Sequence, residues 1–358
     1  MLSLVLFIVI LGTIVLIHEL GHFLFAKMFG VYVYEYSIGM GKKIFSKKPK
    51  NSETEYNIRI FPIGGFVRLA GEEGEDGDTD VPLEQKLYKK GFWQRFLIFF
   101  MGPGFNMLLA IVTLFVSCLI FGGSLTTLQV DGISSEYPAY EAGLRNGDTI
   151  LAVDGEKVST WTQARLKIST VEAGSAIDFK IKHEDGTVET ISVTPKEEEN
   201  ENCTEDDEDK CEPVYVYGVG SKIVKKAGFI GSIEYAVIET KNIILSMGTT
   251  LKYLFTGNLG VNDLSGPVGI YEVVDQQAQY GIDSLLYLLA YLSINVGVMN
   301  LIPFPAFDGG HILFLLIEKI RGKAVSSNVE ATITGIGFIC LILLMIYVTC
   351  HDVINLFT

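Results

Sequence analysis

The sequence is short of cysteine, of proline and of basic charge, and each shortage closes off a class of protein. Five cysteines in 358 residues cannot staple a disulfide-built fold. Ten prolines leave room for long uninterrupted helices and exclude a proline-rich or collagen-like chain. Lys and Arg number 28 against 42 Asp and Glu, a formal charge of −14. Phosphate contacts need a basic face, so nucleic acid is excluded as a partner. Charged residues make up only 20%, below the roughly 25% of an ordinary soluble domain.

What the chain has in their place is apolar length. Residues 1–26, 96–121, 285–302 and 331–348 are each long and apolar enough for a spanning helix, which takes about 20 residues. The first run has no basic leader and no small-x-small cleavage site after it, so it reads as a retained span, not a signal peptide. The loop between the first two spans, residues 27–95, carries 12 Lys and Arg, and the connection after the third carries Lys319, Arg321 and Lys323. The positive-inside rule puts both at the cytosolic face of the membrane. Residues 122–226 hold 21 Asp and Glu against 11 Lys and Arg, which puts that loop and the N-terminus outside. The expected fold is a polytopic α-helical membrane protein with four transmembrane helices and an extracytoplasmic α+β domain.

That outer domain is expected over 125–226, from short β-type runs separated by Asp131-Gly132, Asn146-Gly147-Asp148 and Asp154-Gly155 turn signals, with a helix over 161–169. The run from Ala142 to Gly155, AGLRNGDTILAVDG, resembles PDZ domains, above all those attached to bacterial proteases. The resemblance implies a domain that binds an extended peptide along a sheet edge. An acidic insert, residues 197–212, interrupts it. Like charges repel, so it is expected as a solvated loop. It lacks the ligand spacing of a calcium loop. Cys203 and Cys211 bracket it on the side where a disulfide could persist. Residues 231–254 have an amphipathic pattern suited to the outer interface.

The chemistry lies at the end of the first span, in His18-Glu19-Leu20-Gly21-His22. Positions i and i+4 share a helix face, so both imidazoles can meet one metal ion, with Glu19 beside them as a general base. A catalytic zinc site wants three protein ligands. Ionisable groups at membrane depth are costly and mark function. The segment Asn300-Leu301-Ile302-Pro303-Phe304-Pro305-Ala306-Phe307-Asp308-Gly309-Gly310-His311 offers two candidates for the third. Its prolines break the helix, and irregular backbone at that depth is tolerated where it lines a wet cavity. On chemistry alone His311 competes with Asp308 and is slightly favoured.

These two motifs, in this order, resemble the site-2 protease family of intramembrane zinc metalloproteases. The chain's layout resembles the branch of bacterial regulator-of-sigma-factor proteases, here with room for a single PDZ domain. The resemblance implies a Zn2+ ion held by His18, His22 and Asp308, with Glu19 as catalytic base. It implies that Asn300 positions substrate or supports an oxyanion. Phe61-Pro62-Ile63-Gly64-Gly65-Phe66-Val67-Arg68 resembles the family's membrane-dipping β-hairpin, which makes Ile63, Gly64, Gly65, Phe66 and Val67 substrate-binding residues. Asn106, in Gly102-Pro103-Gly104-Phe105-Asn106, joins them through the family's motif in the second span, and Gly266-Pro267-Val268-Gly269-Ile270 resembles the segment entering the third.

The implied activity is site-2 cleavage of single-span membrane proteins, an anti-sigma factor or remnant signal peptides, after an upstream site-1 protease has cut. The alternative is a catalytically silent membrane scaffold that captures peptides through its PDZ domain. The intact Glu19 and ligand set weigh against it. By this reading the organisation is 1–121, the first two spans with the hairpin loop; 125–226, the outer domain; and 227–358, the interfacial helix with the last two spans. The topology has a direct check. A membrane-impermeant thiol reagent, applied to intact cells after reduction, is expected to label Cys203 and Cys211. Labelling only after the membrane is opened would invert the assignment.

Overall fold

The long apolar runs become helices because, without water, a backbone can satisfy its polar groups only within itself. In a computed structural model, residues 2–50, 52–72, 80–198, 213–260, 264–323 and 325–355 are described. Among the described residues four helices are long and apolar enough to cross a membrane: α1 (Leu2–Met28), α2 (Phe92–Phe121), α7 (Ile282–Leu301) and α9 (Ser327–Asn355). The acidic insert, with Cys203 and Cys211, lies outside the described residues.

Contacts divide the chain into two units, one of Met1–Ser117 with Val261–Thr358 and one of Cys118–Gly260. In the first unit α1 is the central element. Its N-terminal half buries Phe7, Ile10 and Ile14 against Val274 of α6 (Pro267–Tyr280) and Leu288 of α7. Its C-terminal end joins a second cluster, in which Ala26 packs with Val31, Val33, Leu69, Ile98, Phe99 and Leu315. Leu315 belongs to α8 (Asp308–Arg321). The sequence suggested a short basic connection there. Apolar residues at helical spacing, from Ile312 to Leu316, make it a helix instead. At α6, Asp352 of α9 accepts the Gly269 backbone N–H at 2.9 Å and so caps the helix's first turn.

The loop between α1 and α2 contains two 15-residue strands, β1 (Val33–Lys47) and β2 (Glu55–Leu69). The β-hairpin expected in this loop is present as the antiparallel β1–β2 pair, and residues 61–68 form the second half of β2 rather than both of its arms. Tyr, Val and Ile are frequent from Val31 to Ile38, a β-forming composition that the loop's charge count concealed. The strands double back on one another. Tyr36 is aligned with Val67 on one side and Tyr56 on the other, and Met40 to Lys47 pair with Phe61 back to Tyr56. Arg59 ties the folded sheet together through Glu35 at 2.5 Å and Ser37 at 2.6 Å.

The second unit is built on a sheet in the order β10-β3-β4-β6-β7, with β5 pairing β4. Its strands are β3 (Gly123–Val130), β4 (Thr149–Val153), β5 (Glu156–Lys157), β6 (Ile177–Lys182), β7 (Val188–Val193) and β10 (Ser221–Lys226). A short pair, β8 (Lys196–Glu198) with β9 (Val214–Val216), flanks the acidic insert. Along β6, Ile177, Phe179 and Ile181 point in and Asp178, Lys180 and Lys182 point out, the period of two that a half-buried strand requires. They join Leu144, Ile150 and Val153 in one core. Asp154-Gly155 makes the tight β4–β5 turn, with both residues at positive φ, 45° and 74°. Two short helices, α3 (Pro138–Glu141) and α4 (Trp161–Ser169), cover the sheet. Thr160 and Gln163 form a reciprocal capping box at the start of α4.

Helix α5 (Gly228–Thr256) belongs to this unit, whereas the sequence grouped it with the last spans. Gln163 donates to Leu245 O at 3.1 Å, and Tyr253 donates to Glu156 at 2.9 Å. Contacts from α4 and β5 therefore hold it against the sheet.

His183 lies between two carboxylates, with Nδ1 2.9 Å from Asp148 Oδ1 and Nε2 2.9 Å from Glu189 Oε1. Hydrogen bonds that the protonated ring donates to Glu189 and Asp148 push its pKa above the ordinary 6.5. A raised folded-state pKa gives stability that is present below the unfolded value, and it disappears as pH rises through the folded value. The stability gap between wild type and His183→Gln is therefore expected to be largest below about pH 6.5 and to close in alkali. Unfolding followed across pH checks it, and a gap that widens with pH contradicts the assignment.

Candidate metal centre

His18, Glu19 and His22 sit on α1 between its two apolar clusters, where both histidine side chains are buried. The helix carries them to this depth because nothing in residues 2–17 interrupts it. Helix α2 comes unusually close here. A Cβ on Gly21 would stand 2.0 Å from Met101 O, and one on Gly102 would stand 2.2 Å from His22 Nε2. Real side chains do not reach such distances, so glycine at both positions is what lets the helices touch.

That approach sets both imidazoles. His22 Nδ1 lies 2.8 Å from Ile98 O, so Nδ1 carries the proton and Nε2 presents its lone pair. His18 Nδ1 lies 3.3 Å from the amide of Asn106, drawn as Nδ2, while Asn106 Oδ1 has no hydrogen-bond partner. Amide O and N are assigned from their partners. Turning this amide over satisfies Oδ1 and protonates His18 at Nδ1, which frees its Nε2 as well. Asn106 is fully buried. It was expected among the substrate-binding residues, and the structure places its amide against His18 Nδ1. Ser293 of α7 donates to Asn106 O at 2.9 Å, and Gly297, one turn on, lets α7 pack against Pro103 and Asn106.

Asp308 enters from the other end of the sequence. Helix α7 stops at Leu301, and Pro303 to Phe307 form a turn with Phe307 N donating to Phe304 O at 3.0 Å. Asp308 then opens α8. Its Oδ2 is 3.1 Å from His18 Nε2 and 3.4 Å from His22 Nε2, and the two Nε2 atoms are 3.2 Å apart. The ligating atoms of His18, His22 and Asp308 all lie within 4.8 Å of one another. Asp308 Oδ2 is buried without a hydrogen-bond partner. Two imidazole lone pairs and a carboxylate oxygen facing one point fit a divalent cation of borderline softness such as zinc.

His311, the rival for the third position, faces elsewhere. Its ring lies flat on Phe99, with centroids 4.8 Å apart and planes 8° apart, and its Nδ1 is 3.2 Å from Glu330. Glu19 is half-buried beside the histidines, and the Val67 backbone of β2 lies near its carboxylate. A Cβ on Gly65 would come 3.3 Å from Glu19 Cγ, so this stretch of β2 runs directly against the site. Gly64 and Phe66 flank it, half-buried, and Ile63 lies in the same strand. Asn300 is half-buried in the last turn of α7. Ile98 O, the Val67 N–H and the Phe99–His311–Glu330 chain were not found from sequence. The first two are backbone groups, and Gly21 inside HELGH was the one local sign of a close partner.

Four membrane-length helices and a buried His-His-carboxylate cluster define a multi-pass membrane protein with a candidate metal centre in its interior. The chain belongs to peptidase family M50, whose profile matches residues 6–344. It is similar to the regulator of sigma-W protease RasP of Bacillus subtilis, 33% identical with 98% of each chain covered. It is also similar to the zinc metalloprotease RasP of Shouchella clausii, 32% identical over 99% of this chain and 100% of that one. A protein of Clostridium acetobutylicum, provisionally named a zinc metalloprotease, is 34% identical over 98% of this chain and 97% of its own.

The helix contact makes a prediction of its own. Gly21→Ala must push a methyl group into the backbone of α2, and overpacking of this kind costs about 1–3 kcal/mol or more. Its thermal unfolding midpoint in detergent is expected to fall clearly below that of wild type. An unchanged midpoint would show that α1 and α2 are not in contact there.

Proposed function

We propose that this chain is a zinc metalloendopeptidase that cuts single-span membrane proteins within the bilayer, as the second cut of a regulated sequence. The observation that carries the reading is the convergence of His18, His22 and Asp308 within 4.8 Å, with Asp308 Oδ2 otherwise unpartnered and Glu19 alongside. Zinc bound by these three residues would polarise the scissile carbonyl and acidify water. Glu19 takes the proton of the attacking water and delivers it to the leaving amine. Ile98 O and Asn106 hold the two imidazoles with Nε2 forward. Asn300 supports the substrate or its developing oxyanion.

A transmembrane substrate hides its backbone polar groups in its own helix and must be opened before it is cut. The β2 segment Gly64–Val67 beside Glu19 suits this task. Among the described residues Gly65 to Leu69 pair with β1 alone, and an unwound substrate could add as a further strand. Phe66 would contact its side chains, and Ile63 stays among the substrate-binding residues that the resemblance implies. The sheet order and the Ala142 to Gly155 run support a PDZ-like reading of the second unit, outside the cell and able to bind a peptide end. The basic loops support an active site near the cytosolic face. An anti-sigma factor is the favoured substrate, from the name of the Bacillus subtilis relative, with an upstream site-1 protease acting first.

Glu19→Gln keeps the shape and both histidines, so the variant is expected to be folded and zinc-loaded. Its cleavage of a detergent-solubilised single-span substrate should fall roughly 10²- to 10⁴-fold, and a pull-down should recover more uncut substrate from it than from wild type. Asp308→Ala should lose zinc by metal analysis, while His311→Ala keeps the site's three ligands. Wild-type cleavage by Glu19→Gln would remove it as the base. Full zinc retention in Asp308→Ala would remove the ligand set.

A further inference from the structure

We propose that His311 is a positioning residue: it fixes the first turn of α8 against α2 and thereby holds the Asp308 carboxylate where it meets His18 and His22. The inference rests on the zinc-site reading above and adds a residue to which that reading gives no part. Asp308 is the first residue of α8, and His311 follows one turn later. The His311 ring lies flat on Phe99 at 4.8 Å between centroids, and its Nδ1 is 3.2 Å from Glu330 in the first turn of α9.

Phe99 directly follows Ile98, whose carbonyl fixes His22. One step of α2 therefore sets both halves of the site: His22 through the Ile98 carbonyl, and Asp308 through the ring stacked on Phe99. The far end of α8 is pinned by the two-pronged pair between Arg95 and Glu318, at 2.7 and 3.0 Å. Attachments near its two ends fix how α8 lies on α2. With the first removed, the helix can pivot about the second, and the pivot moves its N-terminal residue furthest. That turn also packs through its backbone at Gly309 against Ile302 O and at Gly310 against Phe304 O, and Ile312 and Leu315 pack on Ile98 and Phe99 further along; these contacts bring segments together but do not orient the Asp308 side chain. Asp308 Oδ2 has no hydrogen-bond partner to correct a shift.

Groups that hold a metal ligand in place are worth about 10- to 100-fold in metal affinity or activity. The test is a zinc titration of full-length protein in detergent against competing chelators, with kcat and KM measured in parallel. His311→Ala is expected to bind zinc about 10- to 100-fold more weakly, with kcat lowered and KM unchanged. His311→Phe keeps the stack and loses the Glu330 contact, so it should recover part of the affinity. Glu330→Gln should show a smaller loss in the same direction, and it serves if His311→Ala does not fold. In an Asp308→Ala background, His311→Ala should add no further loss of zinc, because its effect passes through that carboxylate.

Zinc affinity in His311→Ala within twofold of wild type overturns the proposal. So does an equal further loss in the Asp308→Ala background, which would mark a general defect of the fold. A wild-type protein that binds no zinc sinks the metalloprotease reading itself. A zinc-binding wild type with an indifferent His311 sinks only this inference.

Discussion

The close contact of α1 and α2 at Gly21 and Gly102 is the constraint on which the rest of the site depends. A Cβ at Gly21 would meet Met101 O at 2.0 Å and one at Gly102 would meet the His22 ring at 2.2 Å, so a side chain at either position must push the helices or the ring apart. His22 would then lose Ile98 O and His18 would lose Asn106. Neither imidazole would have a fixed tautomer, and a metal site with mobile ligands is a weak one. Helices in a bilayer gain little from the hydrophobic effect between them, so small residues that admit close packing take its place. Gly297 and Ser293 on α7 repeat the device on the other side of Asn106.

The centre is assembled from segments almost 300 residues apart in sequence, and polar groups at that depth have few ways to be satisfied. Each histidine uses one ring nitrogen on α2 and turns the other inward, so the demand left over is concentrated at one point. A buried carboxylate oxygen without a donor is expensive in an apolar interior, and two imidazole lone pairs offer it none. A cation is the group that satisfies all three at once. The same arithmetic favours Asp308 over His311 as the third ligand, although imidazole is the commoner zinc ligand, since it is Asp308 that lies with the two histidines. His311 is already committed to Phe99 and Glu330.

Much of this was legible in the sequence because it depends on composition and spacing. Hydropathy located the four long helices, turn signals separated the strands of the second unit, and the i, i+4 histidines declared themselves without context. The parts that stayed hidden rest on contacts distant in sequence. Strand β1 was obscured because lysines dominate its second half, where Lys43 pairs with Glu55 at 2.6 Å, and because its partner alignment is doubled. Helix α8 was read as a short charged connection, since Lys319 and Arg321 at its end outweighed the apolar face before them. Asn106 could be found as a residue of interest, but its burial behind His18 comes from the packing of three helices. Ile98 could not have been found, for its carbonyl acts and its side chain only packs.

The β1–β2 sheet joins these pieces into one device. At one end, Lys27 in the last turn of α1 pairs with Glu53, just before β2. At the other, Gly65 and Val67 lie against Glu19. These contacts are eight residues apart on α1, about 12 Å of helix at 1.5 Å per residue, so the sheet runs along α1 from its charged end to the level of the metal centre. If the proposed reading puts this sheet at membrane depth, it is an odd choice on stability grounds, because strand edges in lipid leave polar groups unpaired. The cost makes sense if something else pairs with that edge. A substrate helix that is unwound there loses its own hydrogen bonds and needs others, and the edge needs partners for the same reason. The two deficits cancel only when they meet, and the sheet brings that meeting next to Glu19. Under the proposed function, the same fold would open the substrate and present it to Glu19.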